Sequence, residues 1–190
     1  MPRASQTEIA VLGALSVEPM TGYALKLAIS QTIGHFWNES VGQIYPTLRR
    51  LEDQGLLERT RAMRRDSSVF SVTPSGLKQL RSLLREPPPP QTRRNALLLR
   101  LFFGRHLGPA HCRALLQGAR DQATRELESY EHLSAALADE AGYAHDREYW
   151  LLTLMAGIHA ARATIAWADE SLQRLPDTMG QTSKRPGRPR

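Results

Sequence analysis

Gly34-His35-Phe36-Trp37-Asn38-Glu39-Ser40-Val41-Gly42-Gln43-Ile44-Tyr45-Pro46-Thr47-Leu48-Arg49-Arg50-Leu51-Glu52-Asp53-Gln54-Gly55-Leu56-Leu57 is the stretch whose pattern decides the fold of this 190-residue chain. Its centre predicts a helix from about Ser40, a plausible cap, to Gln54. Ile44, Leu48 and Leu51 fall on one face, and Gln43, Pro46 and Arg50 on the other. Pro46 is awkward inside a helix, where it removes a hydrogen bond, but it falls within the first two turns, where the cost is smaller. Gly55 stops the helix and two leucines open a strand. A short helix that buries one stripe and offers glutamine and arginine on the opposite stripe suits a DNA major groove.

Upstream, Thr7 can cap a first helix running to about Leu15, with Ile9, Leu12 and Leu15 facing inward. Pro19 interrupts the chain, and Thr21 caps a second helix to Ile33. Its inward face is expected to use Tyr23 or Ala24, then Leu27, then Ile29 or Ile33, with Gly34 at the end. Downstream, Leu56–Thr60 and Val69–Thr73 read as paired strands, with Phe70 and Val72 inward and a polar, basic tip between them. Thr73 followed by Pro74 is a helix-start signal, and the fourth helix carries Leu77, Leu80 and Leu84.

Pro87 to Pro90 form a stiff linker. Beyond it the pattern is helical. Residues 95–104 make a short, nearly all-apolar helix that should be buried on most sides. Pro109 opens a long helix towards Asp139, with Ala123, Leu127, Tyr130, Ser134 and Leu137 at steps of four and three. A second long helix, from near Asp146, repeats the rhythm at Leu151, Leu154, Ile158, Ala161, Ile165, Ala168, Leu172 and Leu175, which is a coiled-coil seam. The pair can close as an internal hairpin, but alanines at alternate seam positions admit another chain. Leu151, Leu154, Ile158, Ala161, Ile165, Ala168 and Leu172 are therefore the expected dimerisation residues.

The expected fold is mainly α: an N-terminal winged helix-turn-helix (three helices, a two-stranded wing and a fourth helix) and a C-terminal long-helix dimerisation domain. The boundaries are 1–86 for the head, 87–92 for the linker, 93–178 for the helical domain and 179–190 for a disordered basic tail.

Charge follows the same division. The net charge is +6. Residues 1–85 hold 11 Lys/Arg against 7 Asp/Glu, residues 86–183 hold 10 against 12, and the last seven hold four basic groups and no acid. A basic head and tail around an acidic body invite a polyanionic partner. Cys112 is the only cysteine, which excludes an intramolecular disulfide framework and fits a reducing, cytoplasmic interior. The start reads as an amphipathic helix rather than a secretion signal, and the apolar run Ala96–Phe103, broken by Arg100, is far short of the roughly 20 residues of a membrane span.

Gln43, Pro46, Thr47, Arg49 and Arg50 are the candidate base-reading residues, since arginine and glutamine pair with guanine and adenine edges. Tyr45 lies on the flank of the buried stripe, packing there with its hydroxyl within reach of a phosphate. Arg59, Arg61, Arg64 and Arg65 cluster at the wing as candidate phosphate or minor-groove contacts. Lys26 is a weaker backbone candidate. The tail Lys184-Arg185-Pro186-Gly187-Arg188-Pro189-Arg190 is similar to a minor-groove AT-hook, with proline where that motif has arginine before the glycine. No histidine pair has metal-ligand spacing and no phosphate loop is present, so neither a cofactor nor catalysis is expected. A coiled-coil protein-interaction module without specific DNA binding is the main rival reading.

Thr21-Gly22-Tyr23, Gly34-His35-Phe36-Trp37-Asn38, Gly42-Gln43-Ile44-Tyr45-Pro46-Thr47-Leu48, Leu51-Glu52, Gly55-Leu56 and Val72-Thr73-Pro74-Ser75-Gly76 together resemble the PadR family of transcriptional regulators. The Pro-rich linker, Leu97–Gly104 and the long helices resemble its larger subgroup with a helical C-terminal dimerisation domain. The resemblance spans about residues 9–175. It implies a dimeric regulator of an inverted-repeat operator in double-stranded DNA, most often a repressor and in the alternative an activator. In some relatives a small aromatic or phenolic effector releases the DNA. No motif marks an effector pocket, though Tyr143, Tyr149, Trp150 and Trp167 can line one.

Overall fold

The computed structural model describes residues 3–34, 36–37, 41–61, 68–90, 94–139 and 141–175, and its contacts form two compact units, Met1–Thr92 and Arg93–Arg190. The expected cap Ser40, the wing-tip arginines Arg64 and Arg65 and the basic tail lie outside the described residues.

In the first unit, helices α1 (Arg3–Val17), α2 (Gly22–Ala28), α3 (Val41–Asp53) and α4 (Pro74–Arg85) surround a small antiparallel sheet. Strands β2 (Leu57–Arg61) and β3 (Ser68–Val72) form the hairpin, in register Leu57↔Val72 to Arg61↔Ser68. A third strand, β1 (Met20–Thr21), pairs with the other edge of β3, so the expected two-stranded wing is part of a three-stranded sheet. Two residues are too short to carry a periodic signal.

The core is Val11, Leu12, Leu15, Leu25, Ile29, Ile44, Leu48, Leu51, Leu57, Leu80 and Leu83, with Phe70 and Val72 packed against it. Several inward faces differ from the sequence expectation. Helix α1 begins a turn early, and Thr7 lies inside it, buried on the stripe Thr7, Val11, Leu15 instead of capping. In α2 the buried residues are Gly22 and Leu25, whereas Tyr23 and Leu27 are exposed. Thr21 does cap this helix, accepting from the Ala24 N–H at 3.1 Å, but it is also held in β1, and that tie sets the rotation of the first turn. A π turn at Ile29–Ile33 then widens the spiral.

Gly55 closes α3 at φ +68°, a conformation costly for any residue with a Cβ. Its N–H reaches Glu52 O at 2.9 Å and the Leu56 N–H reaches Leu51 O at 2.9 Å, the paired bonds of a Schellman motif. Thr73 and Pro74 start α4 as expected, the Thr73 hydroxyl accepting from the Gly76 N–H at 3.1 Å. A Cβ at Gly76 would lie 2.2 Å from Leu56 O, so the first turn of α4 sits directly on the backbone that leads into β2. That seat turns Leu80 and Leu83 inward and leaves Leu84, expected inside, exposed.

The second unit contains α5 (Ala96–Phe102), α6 (Pro109–Asp139) and α7 (Arg147–Arg174). Here α6 and α7 form an antiparallel hairpin. Leu116, Ala123 and Tyr130 are buried on α6 at steps of seven, and Leu154, Ala161 and Ala168 on α7 at the same step. The Tyr130 ring lies over Gly157, where a Cβ would come within 2.8 Å of it. Arg120 Nε meets Asp169 at 2.6 Å and Arg162 Nη2 meets Glu131 at 2.8 Å, both exposed, each contributing under about 1 kcal/mol. Burial, and then the carboxylate of Glu126, raise the Tyr130 hydroxyl above the ordinary tyrosine pKa.

Part of the expected dimerisation seam is buried within the chain. Leu154, Ala161 and Ala168 are spent within one chain, and Leu151, Ile158, Ile165 and Leu172 are half-buried beside them. The reason is proximity: a turn of a few residues brings α7 onto α6 at little entropic cost, ahead of any second chain. Conversely α5, expected to be buried on most sides, has no buried residue, and Phe102 is 82% exposed. Helix α7 is also long and apolar enough to span a membrane, at a mean hydropathy of 1.3 over 18 residues, although its Arg162 and Asp169 form ion pairs with α6.

Candidate nucleic-acid interface

Helix α3 is fastened by Ile44, Thr47, Leu48 and Leu51, all buried, at the i, i+3, i+4, i+7 spacing of an inward stripe. What α3 presents outward follows from that anchoring. Gln43, Pro46 and Arg49 are exposed, and Tyr45 is exposed with its ring edge against Gly22 of α2. Pro46 lacks the N–H that would reach the carbonyl of Gly42, and because both residues are exposed, water can take that carbonyl. Among the described residues Arg49 makes no ion pair, so its guanidinium fork is free for an acceptor pair on a base or a phosphate.

Two sequence candidates change role. Thr47 is only 6% exposed and belongs to the core stripe, because it stands three residues after Ile44. Arg50 is turned back into the protein: its Nη1 donates to Glu8 Oε2 at 3.0 Å, and its Nη2 is buried with no hydrogen-bond partner among the described residues. It is therefore not a freely extended reader. The partner that captures it, Glu8, is buried on α1 and also accepts from Gln79 Nε2 of α4 at 3.2 Å.

On the wing, Arg59 is exposed, and its Nε donates across the hairpin to the Ser68 hydroxyl at 2.8 Å, which steadies the guanidinium on the β2 face. Arg61 ends β2 opposite Ser68. Lys26 lies half-buried in the last turn of α2.

Sequence reasoning missed three residues. Glu8 had a readable signal: it shares the inward phase of Leu12 and Leu15, and an acid on a buried stripe needs a cation. Gln79 had none. Tyr23, one of two alternatives for the inward face, is 68% exposed on α2 next to Gly22, so its hydroxyl adds a further polar group at the edge where α2 meets Tyr45.

The second unit holds an open apolar groove of about 660 Å³, with Leu98, Leu101, Phe102, Leu116 and Trp167 among its walls and Arg105 and Arg174 among its polar residues. Of the four aromatics considered for a cavity, only Trp167 lines it. Trp150 instead packs on Tyr143 at a centroid distance of 5.1 Å, and Tyr149 is exposed. Among the described residues no group of three or more His, Cys, Asp or Glu side chains can hold a metal ion.

Comparison with known proteins divides the chain along the same lines. Residues 11–82 match the transcriptional regulator PadR-like family, and residues 93–176 match the family described as virulence activator alpha C-term. The negative transcriptional regulator PadR of Bacillus subtilis is 25% identical over 171 residues, covering 86% of this chain and 93% of that protein. The crystal structure of that PadR with operator DNA has a TM-score of 0.75 at 22% identity, over 89% of this chain and 98% of that one. Its structure with p-coumaric acid has a TM-score of 0.74 at 21% identity, over 92% and 98%. The Vibrio cholerae virulence activator AphA is 27% identical with a TM-score of 0.67, over 89% and 97%. The winged-helix head followed by a long-helix region is thus a shared architecture.

Proposed function

We propose that this chain, which belongs to the PadR-like family of DNA-binding transcriptional regulators, is a cytoplasmic repressor that binds an inverted-repeat operator as a homodimer. The observation that carries the proposal is the outward face of α3, where Gln43, Pro46 and Arg49 stand clear of a stripe that is fully buried. A helix held this firmly from below offers base-edge donors and acceptors at low cost in ordering. Arg59, Arg61, Arg64 and Arg65 of the wing would take phosphates, joined by Lys26, Tyr45 and Tyr23. The repressor reading is supported by the Bacillus relative, a negative regulator. The similarity to a virulence activator, in a match that spans the C-terminal region, favours activation as the second reading.

The dimer reading rests on apolar surface left over after the hairpin closes. Leu98, Leu99 and Phe102 on α5, Phe103 just after it, and Leu152 and Met155 on α7 are all exposed, and a second copy would cover them. Two heads would then meet successive major grooves about 34 Å apart. A small aromatic effector has a candidate receptor in the groove beside Trp167, whose volume falls in the range of ligand pockets. The Bacillus PadR solved with p-coumaric acid supports that class of ligand.

The test is binding to DNA from upstream of the chain's own gene against a scrambled duplex, over a salt series. Preference for the upstream fragment on the order of a thousandfold is expected. Equal, steeply salt-dependent binding to both would show only a basic surface, and absence of binding at low salt would favour a protein-interaction role.

A further inference from the structure

A buried carboxylate is costly unless it is paired, and Glu8 is the one charged residue among the described ones that is buried, at 7% exposure. Its two oxygens serve different helices. Oε2 accepts from Arg50 of α3 at 3.0 Å, and Oε1 accepts from Gln79 of α4 at 3.2 Å. Three helices therefore meet at one carboxylate. Arg50 occupies the last turn of α3, between exposed Arg49 and fully buried Leu51.

We infer that Glu8 and Arg50 form a positioning pair that sets the roll of α3 about its own axis, and that Arg50 does not itself read bases. The inference rests on the DNA-binding reading. Leucine contacts are non-directional and tolerate a small rotation of the helix. A charge-assisted hydrogen bond is directional and does not. The leverage is real: a roll of about 20° moves a side-chain tip about 5–6 Å from the axis by about 2 Å. That displacement is enough to take Gln43 or Arg49 out of hydrogen-bond range of a base edge. The buried, unpartnered Nη2 of Arg50 fits the same role, because a reader would keep that nitrogen on the outer surface.

Lysine separates the two roles. Arg50→Lys keeps one charged donor for Glu8 but loses the rigid planar fork that fits guanine O6 and N7 together, so a base-reading arginine should not survive the change unaltered. The wild-type chain is first used to select a duplex from a random pool, and affinities for that duplex and a scrambled one are then measured by fluorescence anisotropy. Far-UV circular dichroism and a thermal transition well above the assay temperature confirm that each variant is folded. Arg50→Lys should keep the preference within about threefold, whereas Arg50→Ala and the isosteric Glu8→Gln should each lose about tenfold or more of it. Their affinity for scrambled DNA should stay within about threefold of wild type, which a general loss of folding would not allow. The double variant should be no worse than Arg50→Ala alone, because the two residues act as one unit.

Arg50→Lys behaving as poorly as Arg50→Ala would make Arg50 a base reader and overturn the pair. An unchanged preference in Glu8→Gln would do the same, and if that variant does not fold, the lysine result decides alone. A wild-type chain that enriches no sequence would sink the DNA-binding reading and this inference with it.

Discussion

In the N-terminal unit Val11, Leu12, Leu25, Ile44, Leu48 and Leu51 are sealed from solvent, and they come from three different helices. In the C-terminal unit the sealed positions are largely small or singly placed (Ala123, Ala161, Ala168, Leu116), while Phe102, Tyr149, Leu152 and Leu99 stand mostly in solvent. Both regions are rich in apolar residues, so composition does not separate them. Geometry does. Around a short sheet, four helices can approach from different directions and enclose a volume. A two-helix hairpin encloses only the line along which its helices touch, and every other face stays open. One region is thus a fold closed around its own core, with scattered apolar side chains such as Tyr23 and Leu84 left outside. The other is closed along one seam and keeps apolar surface to spare, which the proposed second copy would cover.

The largest effect that tests this contrast lies in the head. Leu48→Ala removes a fully buried side chain beneath the reading helix and should cost about 2–5 kcal/mol. Urea unfolding should show the head transition shifting to lower denaturant while the C-terminal transition stays put. If both move together, the head is not self-contained. Next, Phe102→Asp places a charge on exposed α5 and should barely change the stability of one chain, yet raise the dimer dissociation constant by at least about tenfold, roughly 1.4 kcal/mol. Sedimentation that finds the same dimer in the variant would remove α5 from the proposed interface.

The smallest effect is confined to high pH. The hydroxyl pKa of Tyr130 is raised in the folded chain by burial and by Glu126, so its neutral form is favoured there. The corresponding stability is complete below the unfolded tyrosine pKa of about 10 and is lost as pH rises through the folded value. Thermal melts of wild type should therefore decline above that pH more steeply than those of Tyr130→Phe. Parallel declines would show that the hydroxyl is not the group responsible.

Much of this was legible residue by residue. The stripe of Ile44, Leu48 and Leu51, the stop at Gly55 and the cap-proline start at Thr73-Pro74 all appear where the pattern puts them. The exposure of Gln43 and Pro46, two of the residues proposed to read bases, followed from that stripe. Helix rotation was less legible. Tyr23 or Ala24, Leu27 and Leu84 were expected inside because each fits an apolar period, but α2 is turned by its tie to β3 and α4 by the contact of Gly76 with Leu56. The fate of Arg50 was hidden for a related reason, since its partner Glu8 lies 42 residues away.

What the chain determined by itself is therefore local: where helices start and stop, which stretches carry apolar stripes, and which residue types are available to meet a polyanion. Those depend on backbone conformation, capping and spacing within a few turns, and all are written in adjacent residues. What only the tertiary structure decided is how those stripes are used. Packing buried part of the α7 seam against α6, left α5 uncovered and drew Arg50 towards Glu8. An apolar stripe states that it must be covered but not by what, because hydrophobic contact has no direction. The choice among partners falls to whichever surface the folded chain brings near first.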